Sequence, residues 1–170
     1  MIQKKVCMVG VAGVGKTSLV QQFVHSLFSE KYHSTVGVKI DRKIVEVDGA
    51  PVNLLLWDIE GRTPEQELTA AYIRGAHGVL YVTDGTRRET FDQLRDIEEL
   101  VRSTVGEVPS LVALNKTDLT DRWMLTKHDE TLLEERGMHR VRTSAKSGDG
   151  VEDAFRWLAD ATLRAGAKRQ

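Results

Sequence analysis

One stretch decides the fold: Gly10-Val11-Ala12-Gly13-Val14-Gly15-Lys16-Thr17. It fits the pattern G-x-x-x-x-G-K-[ST] and lies between an apolar run, residues 5–9, and a helical stretch that begins at Lys16. Glycines let backbone N–H groups turn inward around a phosphate, and the helix N-terminus adds positive potential. Lys16 would place an ammonium group on the β- and γ-phosphates, and Thr17 would offer a hydroxyl to magnesium. The stretch predicts nucleotide phosphate binding, against the alternative of a chance glycine turn. It does not select the base, because kinases and ATPases share it.

Apolar runs alternate with amphipathic segments along the rest of the chain. Strands are predicted at residues 5–9, 38–47, 52–57, 79–84, 110–115 and 141–144. Helices are predicted at residues 16–24, 63–66 onward, 91–101, 131–136 and 151–161. Asp48-Gly49-Ala50 separates two strands as a hairpin turn, which makes the sheet mixed. Strands alternating with helices predict an α/β fold whose sheet is covered on both faces, with ligands beyond the carboxyl ends of the strands.

The bulk composition fits one ordinary globular domain. The 170 residues carry a formal net charge of -1, which predicts no general attraction to nucleic acid. The single cysteine, Cys7, lies in an apolar run, so we expect a buried, inert thiol in a reducing, cytoplasmic compartment. We expect no membrane-spanning segment. The final residues, Lys168-Arg169-Gln170, contain no cysteine for a lipid, so we also expect no direct membrane anchor.

Two polar motifs follow predicted strands and are suited to reading a purine base. In Asn115-Lys116-Thr117-Asp118, the carboxylate of Asp118 can accept two hydrogen bonds from guanine, whereas adenine offers no such donor pair on that edge. Lys116 can lay its stem along the purine face, and Asn115 can connect neighbouring loops. In Ser144-Ala145-Lys146, a backbone N–H can serve the guanine carbonyl oxygen. Each motif alone is an ordinary polar turn. Together, at the edge where the phosphate loop lies, they favour guanine.

A third motif, Trp57-Asp58-Ile59-Glu60-Gly61, has the composition of a γ-phosphate sensor. Asp58 would hold magnesium through water, and the Gly61 N–H would meet the γ-phosphate without a side chain blocking the approach. Thr35, in a polar loop, would supply a second hydroxyl to magnesium. The alternative for each of these residues is a role in a turn.

Together these residues closely resemble the Ras-like small GTPases, and the Rab branch most, from Lys5 to about Leu163. The residues Tyr72-Ile73-Arg74-Gly75-Ala76-His77-Gly78 are particularly Rab-like. The resemblance implies one GTPase domain over residues 1–170. Its fold would be a P-loop NTPase three-layer sandwich, with a six-stranded, mostly parallel sheet, one antiparallel strand and about five helices. The resemblance also places residues 32–37 in a first switch segment and the start of a second at Asp58.

The family's functional roles transfer to matching positions. The implied nucleotide-binding residues are Ala12, Gly13, Val14, Gly15, Lys16, Thr17, Ser18, Phe28, Tyr32, Thr35, Gly61, Asn115, Lys116, Asp118, Ser144, Ala145 and Lys146. Phe28 would stack on guanine. The implied metal ligands are Thr17, Thr35 and Asp58, with Mg²⁺ as cofactor. The implied catalytic residues are Lys16, Gly61 and Arg62. The implied partners are GTP or GDP, and effector, exchange-factor and activating proteins that contact residues 32–40 and 60–74.

Three departures from the family pattern affect the expected activity. Arg62 occupies the position at which a glutamine usually orients the attacking water, and Glu60 replaces a small residue. The lipidated cysteine tail is absent. We therefore expect a molecular switch that binds GTP and GDP and hydrolyses GTP slowly. The alternative is a GTP-binding regulatory or scaffold module with little or no hydrolysis. An ATP-dependent kinase is disfavoured by the guanine-type motifs.

Overall fold

The computed structural model of the chain describes residues 1–31, 35–61 and 68–169. Its strands are β1 (Ile2–Val9), β2 (Val38–Val47), β3 (Ala50–Ile59), β4 (Gly78–Asp84), β5 (Ser110–Asn115) and β6 (His139–Arg142). Its helices are α1 (Lys16–His25), α2 (Leu68–Ile73), α3 (Arg88–Asp92), α4 (Leu94–Val105), α5 (Lys127–Glu135) and α6 (Val151–Lys168). A short 3₁₀ turn covers Thr120–Arg122. A single residue, Gln93, separates α3 from α4, so the two occupy the place of one predicted helix.

The six strands form one sheet in the order β2-β3-β1-β4-β5-β6. β2 pairs with β3 antiparallel through the hairpin turn at Asp48 and Gly49, and the other neighbouring strands are parallel. The predicted α/β fold with one antiparallel strand is therefore confirmed. Strands β1, β4 and β5 are central and carry apolar side chains on both faces, as expected for strands covered by helices on each side.

The core lies on both faces of the central strands. Phe155 of α6 is fully buried and stacks on Phe23 of α1, with ring centroids 4.2 Å apart. This contact holds the helix that follows the phosphate loop against the C-terminal helix. Cys7, at the centre of β1, is also fully buried, as its apolar surroundings predicted.

Several element boundaries differ from the sequence prediction, and three of them lie in the C-terminal part of the chain. Helix α5 begins at Lys127 rather than 131, because Thr126 and Asp129 form a reciprocal capping box. Strand β6 covers His139–Arg142 rather than 141–144. It is an edge strand whose polar residues give no apolar signal. The C-terminal helix α6 extends to Lys168, beyond the predicted end at 161. The helix start predicted at residues 63–66 lies outside the described residues.

Candidate nucleotide site

The motifs meet at the carboxyl ends of the strands, around a cleft of about 440 Å³. The phosphate loop follows β1, the Asp58 motif ends β3, and the Asn115 motif ends β5. The cleft is lined by Ala12, Gly13, Gly15, Lys16, Thr17, Ser18, Phe28, Ser29, Glu30, Lys31, Thr35, Glu60, Gly61 and Lys116. Ten of the residues predicted from the sequence therefore share one cavity.

The phosphate loop folds around the ammonium group of Lys16. Its Nζ donates to the carbonyls of Gly10 at 3.1 Å and Val11 at 2.9 Å, and the side chain is 5% exposed. Burial lowers the pKa of Lys16 to about 8, although the carboxylate of Asp58 acts in the opposite direction. Lys16 is thus a buried cation placed where phosphate charge would compensate its desolvation.

The base-reading motif is hydrogen-bonded directly to the phosphate loop. Asn115 Nδ2 donates to the Val14 carbonyl at 3.0 Å, and Lys116 Nζ donates to the Gly13 carbonyl at 3.1 Å. Gly15 has a φ of 104°, and a Cβ there would collide with the Asn115 amide, so glycine is required at this position. Two motifs separated by about 100 residues therefore form one rigid wall of the cleft.

The base-side motifs are joined in the same way. Ser144, which is fully buried, donates from Oγ to Asp118 Oδ1 at 2.8 Å. Thr143 Oγ1 donates to Asn115 Oδ1 at 3.0 Å. Asp118 itself is exposed, so the carboxylate is accessible to a ligand while Ser144 holds its Oδ1. The loop after β6 thus orients the carboxylate that was predicted to select guanine.

The remaining base-side residues flank this carboxylate. Ala145 is buried, and Lys146 Nζ lies 3.3 Å from Oε1 of Glu30, which lines the cleft. Phe28 is 40% exposed and lines the cleft together with Lys116. An exposed aromatic ring and a lysine stem on the same cleft form a suitable surface for a flat purine.

Three oxygens form a small cluster at the start of α1. Thr17 Oγ1 lies 2.6 Å from Asp58 Oδ2 and 2.8 Å from Thr35 Oγ1. Asp58 is 1% exposed, burial raises its pKa, and its Oδ1 has no hydrogen-bond partner among the described residues. A buried carboxylate oxygen beside two hydroxyls is a donor set that fits Mg²⁺, which prefers oxygen ligands and one or two carboxylates plus phosphates.

The segment after β3 packs tightly on the phosphate loop. A Cβ on Gly61 would lie 2.5 Å from the backbone N and Cα of Ala12, so only glycine allows this approach. Glu60 connects the same segment to the first switch. Its backbone N–H donates to the Gly37 carbonyl at 2.7 Å, and its Oε2 accepts from the Gly37 N–H at 3.3 Å. Of the predicted residues, Tyr32 and Arg62 lie outside the described part of the chain.

The cleft-lining residues 29–31 were not predicted from the sequence, and neither was the buried Asp84. Asp84, at the end of β4, is 1% exposed, and its Oδ2 lies 2.8 Å from Lys116 Nζ. Burial alone would raise the pKa of Asp84, but hydrogen bonds from Lys116 and Thr86 outweigh it and lower the pKa. Asp84 therefore holds the base-side lysine. The sequence did contain a signal for Asp84, because it is a carboxylate at the end of an apolar run. The same feature had identified Asp58 as a candidate.

Comparisons with known proteins identify the family of the chain. Residues 5–164 match the sequence model of the Ras family. The chain is 34% identical over 160 residues to the Ras-related protein Rab-1 of Theileria annulata, covering 92% of this chain and 73% of that protein. It is 34% identical over 157 residues to human Rab-8B, covering 91% and 76%. It is also 34% identical over 157 residues to the GTP-binding protein YPTM2 of Zea mays, covering 91% and 77%.

Among the described residues, no helix has the length and apolar character needed to cross a membrane.

Proposed function

The chain belongs to the Ras family of GTP-binding GTPase switches, and we propose how its residues divide the binding, metal and switching roles. One observation carries the proposal: the base-side residues Asn115 and Lys116 donate directly to the carbonyls of the phosphate loop. A single cleft therefore joins a purine position to a phosphate position, as a nucleoside triphosphate requires.

The phosphates bind between Lys16 and the loop backbone. The Lys16 ammonium, now bonded to two loop carbonyls, moves onto the β- and γ-phosphates, and the N–H groups of residues 13–18 donate to phosphate oxygens. Both interactions neutralise charge that shifts between phosphate oxygens during hydrolysis. Their contribution is positioning and electrostatic stabilisation rather than covalent chemistry.

Thr17, Thr35 and Asp58 would hold Mg²⁺, which supplies charge neutralisation at the β- and γ-phosphates when it is bound. Asp58 would act through its free buried oxygen, and the two threonines would act through their hydroxyls. Thr35 lies in the first switch segment and Thr17 in the rigid helix α1. Contact with both would link the bound nucleotide to the position of the switch segment.

Guanine is selected by the side chain of Asp118, held by Ser144, with the Ala145 N–H and Lys146 completing the pocket. Phe28 and the stem of Lys116 cover the faces of the base. Adenine would present an acceptor where Asp118 needs a donor, leaving a desolvated carboxylate unpaired.

Hydrolysis is slow in this proposal because Arg62 replaces the residue expected to orient water. Gly61 would donate its N–H to the γ-phosphate, and its close packing on Ala12 places it at the phosphate loop. Glu60 ties the second switch to Gly37 of the first through two hydrogen bonds, so the two switch segments would order together. Loss of the γ-phosphate contacts after hydrolysis would release them.

Partners of the switch would bind at residues 32–40 and 60–74, including effector, exchange-factor and activating proteins. The exposed apolar side chains of Val36, 86% exposed, and Ile40, 47% exposed, support a protein-binding surface there. We further propose that residues 1–170 form a single GTPase domain. The reduced, buried Cys7 is compatible with action in the cytoplasm.

Competition binding tests the proposal directly. The protein is loaded with a fluorescent guanosine diphosphate in the presence of Mg²⁺, and GTP, GDP, ATP and xanthosine triphosphate compete for the site. We expect displacement by GTP and GDP at concentrations at least 10³-fold below those of ATP, because a mispaired buried polar group costs about 10⁴–10⁵ in selectivity. Single-turnover phosphate release then measures hydrolysis. Equal displacement by ATP and GTP would contradict the base assignment.

A further inference from the structure

A cationic side chain outside the recognised motifs also contacts the phosphate loop. Arg87 follows β4, and its Nη2 donates to the carbonyl of Ala12 at 3.2 Å. Its Nε lies 3.5 Å from Glu89 Oε1 and 3.9 Å from Asp84 Oδ2. Two carboxylates therefore lie near the guanidinium, which is 39% exposed, and their charge favours its orientation toward the loop.

Arg87 completes a series of contacts with three successive carbonyls of the loop. The carbonyls of Ala12, Gly13 and Val14 accept, in that order, from Arg87, Lys116 and Asn115 at 3.2, 3.1 and 3.0 Å. The C=O and N–H of a trans peptide point in opposite directions. The N–H groups of the next residues, 13, 14 and 15, therefore point away from these three donors, and we expect them to face the phosphates of a bound nucleotide.

We propose that Arg87 is a positioning residue for the phosphate loop, acting through the peptide unit between Ala12 and Gly13. A charged donor on one end of a peptide polarises the group and strengthens the N–H at its other end as a donor. The Gly13 N–H then becomes a better donor to the triphosphate. Gly61 packs against the same residue, Ala12, so the polarised peptide lies next to the γ-phosphate sensor.

Asp84 couples this contact to the base side of the site. Its carboxylate lies 2.8 Å from Lys116 Nζ and 3.9 Å from Arg87 Nε. Asp84 is held in place by the backbone N–H and hydroxyl of Thr86, at 2.8 and 2.6 Å. One buried carboxylate thus pairs closely with Lys116 and lies near Arg87, the two cations that contact successive loop carbonyls.

The inference rests on the proposed function, since it assigns Arg87 to the same GTPase site. The test compares Arg87→Gln and Arg87→Lys with Arg88→Gln, in single-turnover GTP hydrolysis with Mg²⁺. Arg88→Gln is the matched control: it removes the same charge from the next residue, but Arg88 pairs with Asp129 of α5, at 2.6 and 2.9 Å.

Loss of a direct transition-state donor costs about 10²–10³ in rate. Because Arg87 acts through one intervening peptide, we expect Arg87→Gln to slow hydrolysis roughly tenfold with less than threefold change in GTP affinity.

A spectroscopic measurement separates positioning from simple destabilisation. In the GDP–Mg²⁺ complex, the amide proton of Gly13 should shift upfield in Arg87→Gln, recover at least partly in Arg87→Lys, and stay unchanged in Arg88→Gln. The amide shift does not depend on hydrolysis, so it tests the role of Arg87 separately from the GTPase activity. If the wild-type protein releases no phosphate, that result counts against the proposed hydrolysis, and the amide shift still tests Arg87. An unchanged Gly13 amide in Arg87→Gln, or an equal loss of rate in Arg88→Gln, overturns the inference.

Discussion

The hydroxyl of Thr17 and the carboxylate of Asp58, 41 residues apart, lie 2.6 Å from each other at the start of α1. The hydroxyl of Thr35 completes the cluster at 2.8 Å from Thr17. The start of helix α1, the end of strand β3 and the loop before β2 therefore each contribute one oxygen to a common position. If Mg²⁺ binds there as proposed, its binding would link the position of the first switch segment to the bound nucleotide.

Replacing Thr17 should affect the two nucleotides unequally. In Thr17→Asn, the hydroxyl is lost and the larger amide displaces the metal ligand, so GTP affinity should fall by roughly tenfold or more, or about 1.4 kcal/mol. GDP affinity should fall less, because the diphosphate depends less on the metal and on Thr35. Titration with fluorescent GTP and GDP measures both constants. Thr131→Asn, on the surface of α5, is the control, and an equal loss for the two nucleotides would contradict the metal assignment.

Replacing Lys16 should remove triphosphate binding by a different route. Lys16→Ala deletes the buried ammonium that the loop carbonyls hold, and charge-assisted contacts to phosphate are among the strongest hydrogen bonds in proteins. We expect GTP affinity to fall by about 10² or more, measured by calorimetry with Mg²⁺ present. Lys127→Ala, at the start of α5, controls for the loss of one charge. A near-normal GTP affinity in both Lys16→Ala and Thr17→Asn would exclude the phosphate-loop assignment.

Arg62 should be conformational or partner-binding rather than catalytic. In single turnover, Arg62→Gln should speed hydrolysis by restoring a water-orienting amide, and Arg62→Ala should change the rate little. An arginine that acts as an internal finger contributes roughly 10³–10⁵ to the rate. A collapse of the rate in Arg62→Ala would therefore identify Arg62 as such a finger and reverse this interpretation.

The thiol of Cys7 should be inert in the folded protein. Burial raises the pKa of Cys7 to about 12, so only about 10⁻⁴ of the thiol is ionised at pH 8, and the sulfur is fully buried in β1. Iodoacetamide labelling followed by mass spectrometry should show little modification over hours, and complete modification in denaturant. Labelling of the folded protein as fast as in denaturant would show that β1 opens readily.

The sequence predicted those parts of the site that depend on local spacing. Glycines, Lys16 and Thr17 in one short loop predict a phosphate site by themselves, whereas Asp118 is predicted to read the base only when its motif is combined with Ser144-Ala145-Lys146. In contrast, the contacts of Asp84 and Arg87 depend on how strands β1, β4 and β5 lie side by side. No local pattern reveals that Arg87 reaches a carbonyl 75 positions earlier in the chain.

The difference between local sequence patterns and contacts made by the whole fold also explains which strand and helix boundaries were predicted correctly. Strand β5 was predicted at Ser110–Asn115 because a buried parallel strand is a continuous apolar run. Strand β6 lies at the sheet edge and begins with His139 and Arg140, which carry no apolar signal. Helix α5 begins at Lys127, directly after its cap Thr126, rather than at Thr131 where the sequence prediction placed its start.

Guanine recognition by Asp118 is the central claim, and the nucleotide preference of Asp118→Asn tests it most directly. An amide at this position presents a donor where guanine also presents one, whereas xanthine offers an acceptor there. Competition against a fluorescent guanosine diphosphate should show GTP affinity reduced by at least 10²-fold and xanthosine triphosphate binding more tightly than GTP. Asp121→Asn, in the following 3₁₀ turn, should leave the wild-type preference for GTP intact. If Asp118→Asn binds GTP as tightly as the wild type, Asp118 does not read the base and the account is wrong.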